Sequence, residues 1–408
     1  MRVARQPPSR GPALYRLTSP APWGRYLRAT SRSVRGLADR GHSQLHETYG
    51  LESPAPDRRA QTMTIRPPPS IHNFAAEVDF ALRAMEGAAE LLDELRRSSQ
   101  IQSLTKEDRT PVTAADFAVQ AAVTGLLERS LPGEVLIAEE DAGRLQGEEA
   151  RRWVDEIVAS VRRVHPAATE DQVLRWLERG GQQPERRFWA LDPVDGTKGL
   201  LRGGQFAAAL ALIQDGVPII GALACPRYDR FGEEGCLALA VRGEGAWAAP
   251  AGGGGWTRLL VSSTADPLHG RLLRSVESGP ATNRKLEEIR RELGMTASEI
   301  RMDSQVKYLA LAASDGELII RLPRSGGQHE NTWDHAAGVL LVEQAGGLAS
   351  DLNGERLDFG AGRQMVRNLG VVAGNQRMHE AALAALRRLG LGTPAKDLAG
   401  VRRKARGK

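Results

Sequence analysis

The stretch Trp189-Ala190-Leu191-Asp192-Pro193-Val194-Asp195-Gly196-Thr197-Lys198-Gly199 decides how the rest of this chain is read. The apolar run Phe188–Leu191 predicts a strand that delivers Asp192. Pro193 predicts a turn, with Asp192 and Asp195 facing one point from its two sides, and Gly196 permits a tight backbone path. Thr197 reads as the N-cap of a following helix. Two carboxylates with the Val194 carbonyl between them form a hard oxygen donor set that suits Mg²⁺. The N–H groups at the helix start behind them suit an anion.

Three other stretches concentrate acids at element ends. Ile137-Ala138-Glu139-Glu140-Asp141 places three acids after a predicted strand, Val135–Ala138. Asp108-Arg109-Thr110-Pro111-Val112-Thr113-Ala114-Ala115-Asp116 ends in capping-box spacing, Thr113 to Asp116, and predicts a helix running from Thr113 to Gly133. Trp333-Asp334-His335-Ala336-Ala337-Gly338 predicts an apolar helix over Trp333–Gln344. Asp334 at its start reads as a cap or dipole partner worth about 1 kcal/mol.

Around these, three- and four-residue steps from Ile71 through Leu95 predict an amphipathic helix. Residues 142–187 read as a helical excursion, with helical patterns near Trp153–Val164 and Val173–Leu177. Phe206–Ile213 and Ile219–Cys225 read as a hairpin. Beyond the linker Gly252–Gly255, helices are predicted at Lys285–Leu293, Val306–Ala313 and Glu380–Leu389, and a strand at Glu317–Leu322. The mixture predicts an α+β class built in layers. The organisation expected is an unfolded basic extension at 1–70, an α+β domain at 71–255 carrying most of the acids, a second domain at 256–395 and a basic tail at 396–408.

The 408 residues carry a net charge of +5, unevenly spread. Residues 1–62 hold +7 and residues 396–408 hold +5, so the body between them is −7. A groove-type nucleic-acid binder would concentrate its basic residues on a folded face, so no nucleic-acid partner is expected. No run approaches the length of a membrane span, and no membrane partner is expected. The 1–62 segment, Arg-rich and without an acid before Asp39, matches an organelle transit peptide or a tail preceding a true start at Met63. The expected compartment is the cytoplasm, or a mitochondrion or plastid if that segment is an address. Two cysteines, Cys225 and Cys236, exclude a disulfide scaffold and a cysteine zinc site. They read as reduced, partly buried thiols, with a single disulfide left open.

The four stretches, in this order, resemble the lithium-sensitive, magnesium-dependent phosphatase superfamily of inositol monophosphatase. Its pattern is an acid pair after a strand, then Asp-Pro-Ile-Asp-Gly-Thr, then Trp-Asp-x-Ala-Ala-Gly; Val194 stands here in place of Ile. Lys198-Gly199-Leu200-Leu201-Arg202-Gly203-Gly204-Gln205-Phe206, the long excursion, Met302-Asp303-Ser304-Gln305-Val306-Lys307-Tyr308 and Ile320-Arg321-Leu322-Pro323 are similar to the 3'(2'),5'-bisphosphate nucleotidase branch. In that branch a histidine follows the Val276-Glu277-Ser278-Gly279 run, where this chain has Pro280-Ala281-Thr282-Asn283.

The resemblance implies a layered α/β/α/β/α sandwich and hydrolysis of a phosphomonoester with two or three Mg²⁺. It assigns Glu139, Asp192, the Val194 carbonyl, Asp195 and Asp334 as metal ligands. Asp116 would orient the Thr197 hydroxyl, the catalytic pair, and Glu140 would support the ligands from behind. Gly196, Thr197 and Lys198 would bind the scissile phosphate, and Ser304, Lys307 and Arg321 the second one. The implied partner is a small phosphorylated nucleotide, adenosine 3',5'-bisphosphate or phosphoadenylyl sulfate, bound by a monomer or weak homodimer. The alternatives are an inositol phosphate or polyphosphate 1-phosphatase, and a non-catalytic phosphonucleotide- or RNA-binding sensor.

Overall fold

Strand Ala207–Gln214 sets the layering by simple alternation, because successive side chains of a strand point to opposite faces. Ala207, Ala209, Ala211 and Ile213 enter one hydrophobic core, while Ala208, Leu210 and Leu212 enter another. Both faces are therefore covered, and the strand reads as one apolar run.

The computed structural model describes residues 65–68, 70–97, 103–105, 111–145, 148–323 and 328–392. All of them fall in one compact unit, Gln61–Lys408. The segments 1–62 and 396–408, and Asp108-Arg109-Thr110, lie outside the described residues. In chain order the first elements are α1 (Ala75–Arg97), β1 (Ser103–Thr105), β2 (Pro111–Thr113), α2 (Ala114–Ser130), β3 (Leu136–Ala138), α3 (Glu148–Val164), α4 (Glu170–Arg179) and β4 (Arg187–Asp195). There follow α5 (Thr197–Leu201), β5 (Ala207–Gln214), β6 (Val217–Cys225), β7 (Cys236–Val241), β8 (Gly245–Pro250), β9 (Thr257–Arg258) and β10 (Leu272–Arg274). The last are α6 (Pro280–Glu292), β11 (Ile300–Arg301), α7 (Val306–Ala312), β12 (Leu318–Arg321), α8 (Ala336–Gln344), β13 (Leu348–Ser350), β14 (Val371–Gly374) and α9 (Gln376–Arg388).

Strands β3 to β9 form a seven-stranded sheet in sequence order, and a five-stranded sheet runs β11-β10-β12-β14-β13. Helices α1 and α2 cover one face of the large sheet; α7 and α8 lie between the sheets; α9 packs on the small sheet's outer face, with α6 beside it. The result is the α/β/α/β/α sandwich expected. Helices α3 and α4 form a satellite core with α2, which accounts for the excursion.

The middle layer is thin because small residues face it. Ala207, Ala209, Ala238 and Ala240 meet Ala336-Ala337 of α8 in one core. Gly338, one residue on, lies against the ring of Tyr308 on α7; a Cβ there would come within 2.4 Å of it.

Several boundaries differ from those expected. The Gly252–Gly255 run joins β8 to β9 inside one sheet, so the change of sheet comes after Arg258. Ile65, within the stretch read as an unfolded extension, is buried against the α1 core. Its N–H donates to Glu86. Helix α8 begins at Ala336 rather than Trp333, leaving Asp334 in the turn before it. Strands β7, β8, β10, β13 and β14 were not anticipated, several being short or rich in Ala and Gly. Cys225 and Cys236 are free thiols, directly opposite on β6 and β7, and fully rather than partly buried.

Gly338→Ala tests the tightness of the middle layer. Overpacking a filled core costs about 1–3 kcal/mol, so the urea midpoint should fall accordingly. An unchanged midpoint would mean that α7 and α8 separate freely.

Candidate active site

The acids meet where two strands end side by side. Strand β3 pairs parallel with β4, with Ala138 opposite Leu191, so the next residues, Glu139 and Asp192, emerge together. The carboxyl ends of parallel strands are a recurrent ligand site. Between Asp192 and Asp195 the register against β5 slips: Asp192 faces Ala209 and Asp195 faces Ala207, three steps against two. Side chains three apart on a regular strand would point to opposite faces; the extra residue of a bulge corrects this. The expected Pro193 turn is thus a bulge within a strand that continues to Asp195.

Gly196 then turns the chain with φ +90°. It, not Thr197, is the N-cap, and Thr197 is the first residue of the short α5. A side chain at Gly196 is doubly disfavoured: the backbone is left-handed, and a Cβ would lie 3.1 Å from that of Ser304.

One cavity of about 950 Å³ collects most of the expected residues. Its floor carries Glu139, Asp192, Val194, Asp195 and Asp334. Gly196, Thr197 and Lys198 line the cavity as well, as do Ser304, Lys307 and Arg321. Asp116 and Glu140 stand behind the wall. Asp116 is buried, and its Oδ2 accepts from the N–H and the hydroxyl of Thr113, both at 2.7 Å. Its Oδ1 lies 3.3 Å from the Thr197 hydroxyl, which is also 3.1 Å from the Val194 carbonyl. Glu140 Oε2 accepts from Arg144 at 3.3 Å, and its backbone is held at both N–H and C=O by the amide of Gln120, each at 2.9 Å.

Burial dominates the electrostatics of the site. Burial pushes the Asp195 carboxyl up to about 6, against the pull of Lys307 and the Gln305 N–H, and Glu139 pushes it further. Burial likewise pushes the Lys307 ammonium down to about 8, with Asp195 opposing. Lys307 Nζ donates to the Ser304 carbonyl at 2.7 Å, and Ser304 sits at φ 60°, a strained value for a non-glycine. Arg321 Nε donates to Glu330 at 3.2 Å. Lys307 and Arg321 are therefore held charges, not the freely solvated pair that charged residues usually form.

The donor chemistry fits Mg²⁺: hard carboxylate oxygens and a backbone carbonyl line one cavity. Glu330, Asp334 and His335 also place ligand atoms within 4.8 Å of one another.

Sequence reasoning did not find Glu330, His335, Gln120 or Arg363. Arg363 Nη2 donates to the Ala138 carbonyl at 2.6 Å, and its guanidinium lies 4.6 Å from the Trp333 ring. A lone Gln inside an apolar helix was the one available signal. The missing histidine has no stand-in at Asn283, whose amide braces the loop through the Ser278 carbonyl at 2.9 Å; Thr282 and Lys285 reach the cavity instead.

The layered fold and the acid-lined cavity define a phosphatase architecture, and comparison with known proteins agrees. Residues 75–391 match the inositol monophosphatase family, and the chain belongs to that family. It is 34% identical over 336 residues to a protein of Schizosaccharomyces pombe named 3'(2'),5'-bisphosphate nucleotidase, covering 77% of this chain and 95% of that one. A protein of the same name from Oryza sativa is 34% identical over 339 residues, covering 77% and 94%. In fold, the chain is similar to the IMPase of Thermotoga maritima, with TM-score 0.55 and 18% identity over 78% of this chain and 99% of that one. Members of the family are metal-dependent phosphatases. Among the described residues no helix is long and apolar enough to cross a membrane.

Added Mg²⁺ should raise the melting temperature of EDTA-treated protein, since a ligand of the native state stabilises it by mass action. Asp195→Asn should remove most of that rise. An equal rise in the variant would place the ion elsewhere.

Proposed function

We propose that this protein is a Mg²⁺-dependent phosphomonoesterase that converts adenosine 3',5'-bisphosphate to AMP and phosphate. Phosphoadenylyl sulfate, giving adenylyl sulfate, is the second substrate in this reading. One observation carries it: a single cavity is lined both by the acids Glu139, Asp192, Asp195 and Asp334 and by the two cations Lys307 and Arg321. A substrate with one phosphate would need the floor alone. The names of the relatives support the same reading.

Glu139, Asp192, the Val194 carbonyl, Asp195 and Asp334 would hold the metal. Bound Mg²⁺ would supply acidification of a water and neutralisation of phosphate charge. In the reaction a water oxygen adds to phosphorus, the ester P–O bond breaks, and the leaving ribose oxygen takes a proton from solvent water, to which Asp116 later returns the one it has received. The Thr197 hydroxyl donates toward Asp116 or the Val194 carbonyl, which leaves its lone pairs to accept from the attacking water. Asp116, fixed by two bonds from Thr113, receives the proton through Thr197. The N–H groups of Gly196, Thr197 and Lys198 bind the scissile phosphate. Ser304, Lys307 and Arg321 bind the other one, Arg321 through its fork and Lys307 as a point charge. The partner is this small molecule, and the working unit is a monomer or weak homodimer.

Phosphate release should be measured from adenosine 3',5'-bisphosphate and from inositol phosphates side by side, with Mg²⁺ and with EDTA. The nucleotide should be preferred, and only with Mg²⁺; millimolar lithium should inhibit. Preference for inositol phosphates would replace this substrate and keep the chemistry. Asp195→Asn should retain its fold and fall below about a tenth of wild-type rate, at least the 1.4 kcal/mol of a tenfold change.

A further inference from the structure

Glu330 has no task in the chemistry above, yet it is only 5% exposed and borders the cavity through its partners. Its two oxygens accept from Arg321 Nε at 3.2 and 3.3 Å. One of them lies 3.3 Å from Nε2 of the buried His335. The other ring nitrogen, Nδ1, is 2.7 Å from the Tyr308 hydroxyl, and the two rings meet edge to face. A carboxylate only accepts, so Nε2 carries the hydrogen that faces Glu330, and Nδ1 takes the hydrogen of Tyr308. Tyr308 is itself pinned, its ring pressed against Gly338. A continuous chain therefore runs from the middle layer to the cavity wall: Tyr308, His335, Glu330, Arg321.

Two roles compete for Glu330. With Asp334 and His335 it has the spacing of a metal site. However, both its oxygens already face a guanidinium, so its charge is matched, and a second cation there would meet Arg321 at close range. Arg321, by contrast, gains from the arrangement. A long side chain loses rotamer freedom whenever it binds a ligand, and a fixed guanidinium has lost that freedom beforehand.

We propose that Glu330 is a positioning residue for recognition of the substrate's second phosphate: backed by His335 and Tyr308, it holds Arg321 at the cavity wall. This rests on the reading of Arg321 as a cation for that phosphate.

The test is a double-mutant cycle in Mg²⁺ buffer on wild type, Glu330→Gln, Arg321→Ala and the double variant. It reads turnover of adenosine 3',5'-bisphosphate and calorimetric binding of AMP, which carries only the second phosphate. Glu330→Gln should raise KM and the AMP Kd about tenfold, with kcat within about threefold of wild type. In the Arg321→Ala background it should add less than about twofold, because the two residues act as one. Tyr308→Phe, which removes only the far hydroxyl, should raise the same KM about twofold to threefold at unchanged kcat, and supplies the test if Glu330→Gln does not fold. Additive losses, or a fall in kcat at constant KM, would overturn the proposal. Weakened Mg²⁺ binding in Glu330→Gln would overturn it in favour of a metal ligand. Wild-type protein that does not hydrolyse the bisphosphate would instead overturn the reading of the substrate.

Discussion

The parallel pairing of β3 with β4 is the constraint on which the site depends. The other neighbouring pairs in the large sheet are antiparallel. Parallel neighbours run to the same edge, so this one pair brings the acids after β3 and those in the last residues of β4 to a common point. Holding carboxylates together is unfavourable, roughly 4 kcal/mol per pair at 4 Å for an effective dielectric of 20. The surroundings accordingly fix backbone on several sides. Gln120 grips both backbone groups of Glu140, and Arg363 takes the carbonyl of Ala138. The parallel arrangement also requires a crossover, which α3 and α4 fill.

Much of this was legible in the residues, for a physical reason. Motifs at strand and helix ends are local: strand into Asp192, glycine at 196, capping box from Thr113 to Asp116. Local chemistry of that kind does not depend on the rest of the fold. The layered class followed from the mixture of strand and helix patterns and from resemblance. What could not be read was pairing across distance. Glu330 meets Arg321 from nine residues away, and Arg363 meets Ala138 from 225; nothing in their neighbours announces it. The bulge at Pro193 belongs to the same group. A proline after a strand reads as a turn, and only the partner strand β5 shows that the ladder resumes.

Short Ala-rich strands were missed because alanine carries little strand signal. Here it is selected by thickness. The faces of β5 and β7 turned to α8 are largely Ala, while their opposite faces carry Leu and Val. The position of Asp334, just ahead of α8, depends on that spacing as much as on its own turn.

Arg363 has a consequence for how the molecule can be taken apart. Its guanidinium reaches the carbonyls of Ala138 and Gly180 and stacks on Trp333. One side chain near the end of the chain thus closes a circuit through the first acid strand, the exit of the excursion and the turn that bears Asp334. A chain severed between the sheets would regain the site only by complementation, with both fragments docking through that circuit, and a nascent chain lacks the brace on Ala138 and Trp333 until residue 363 is available.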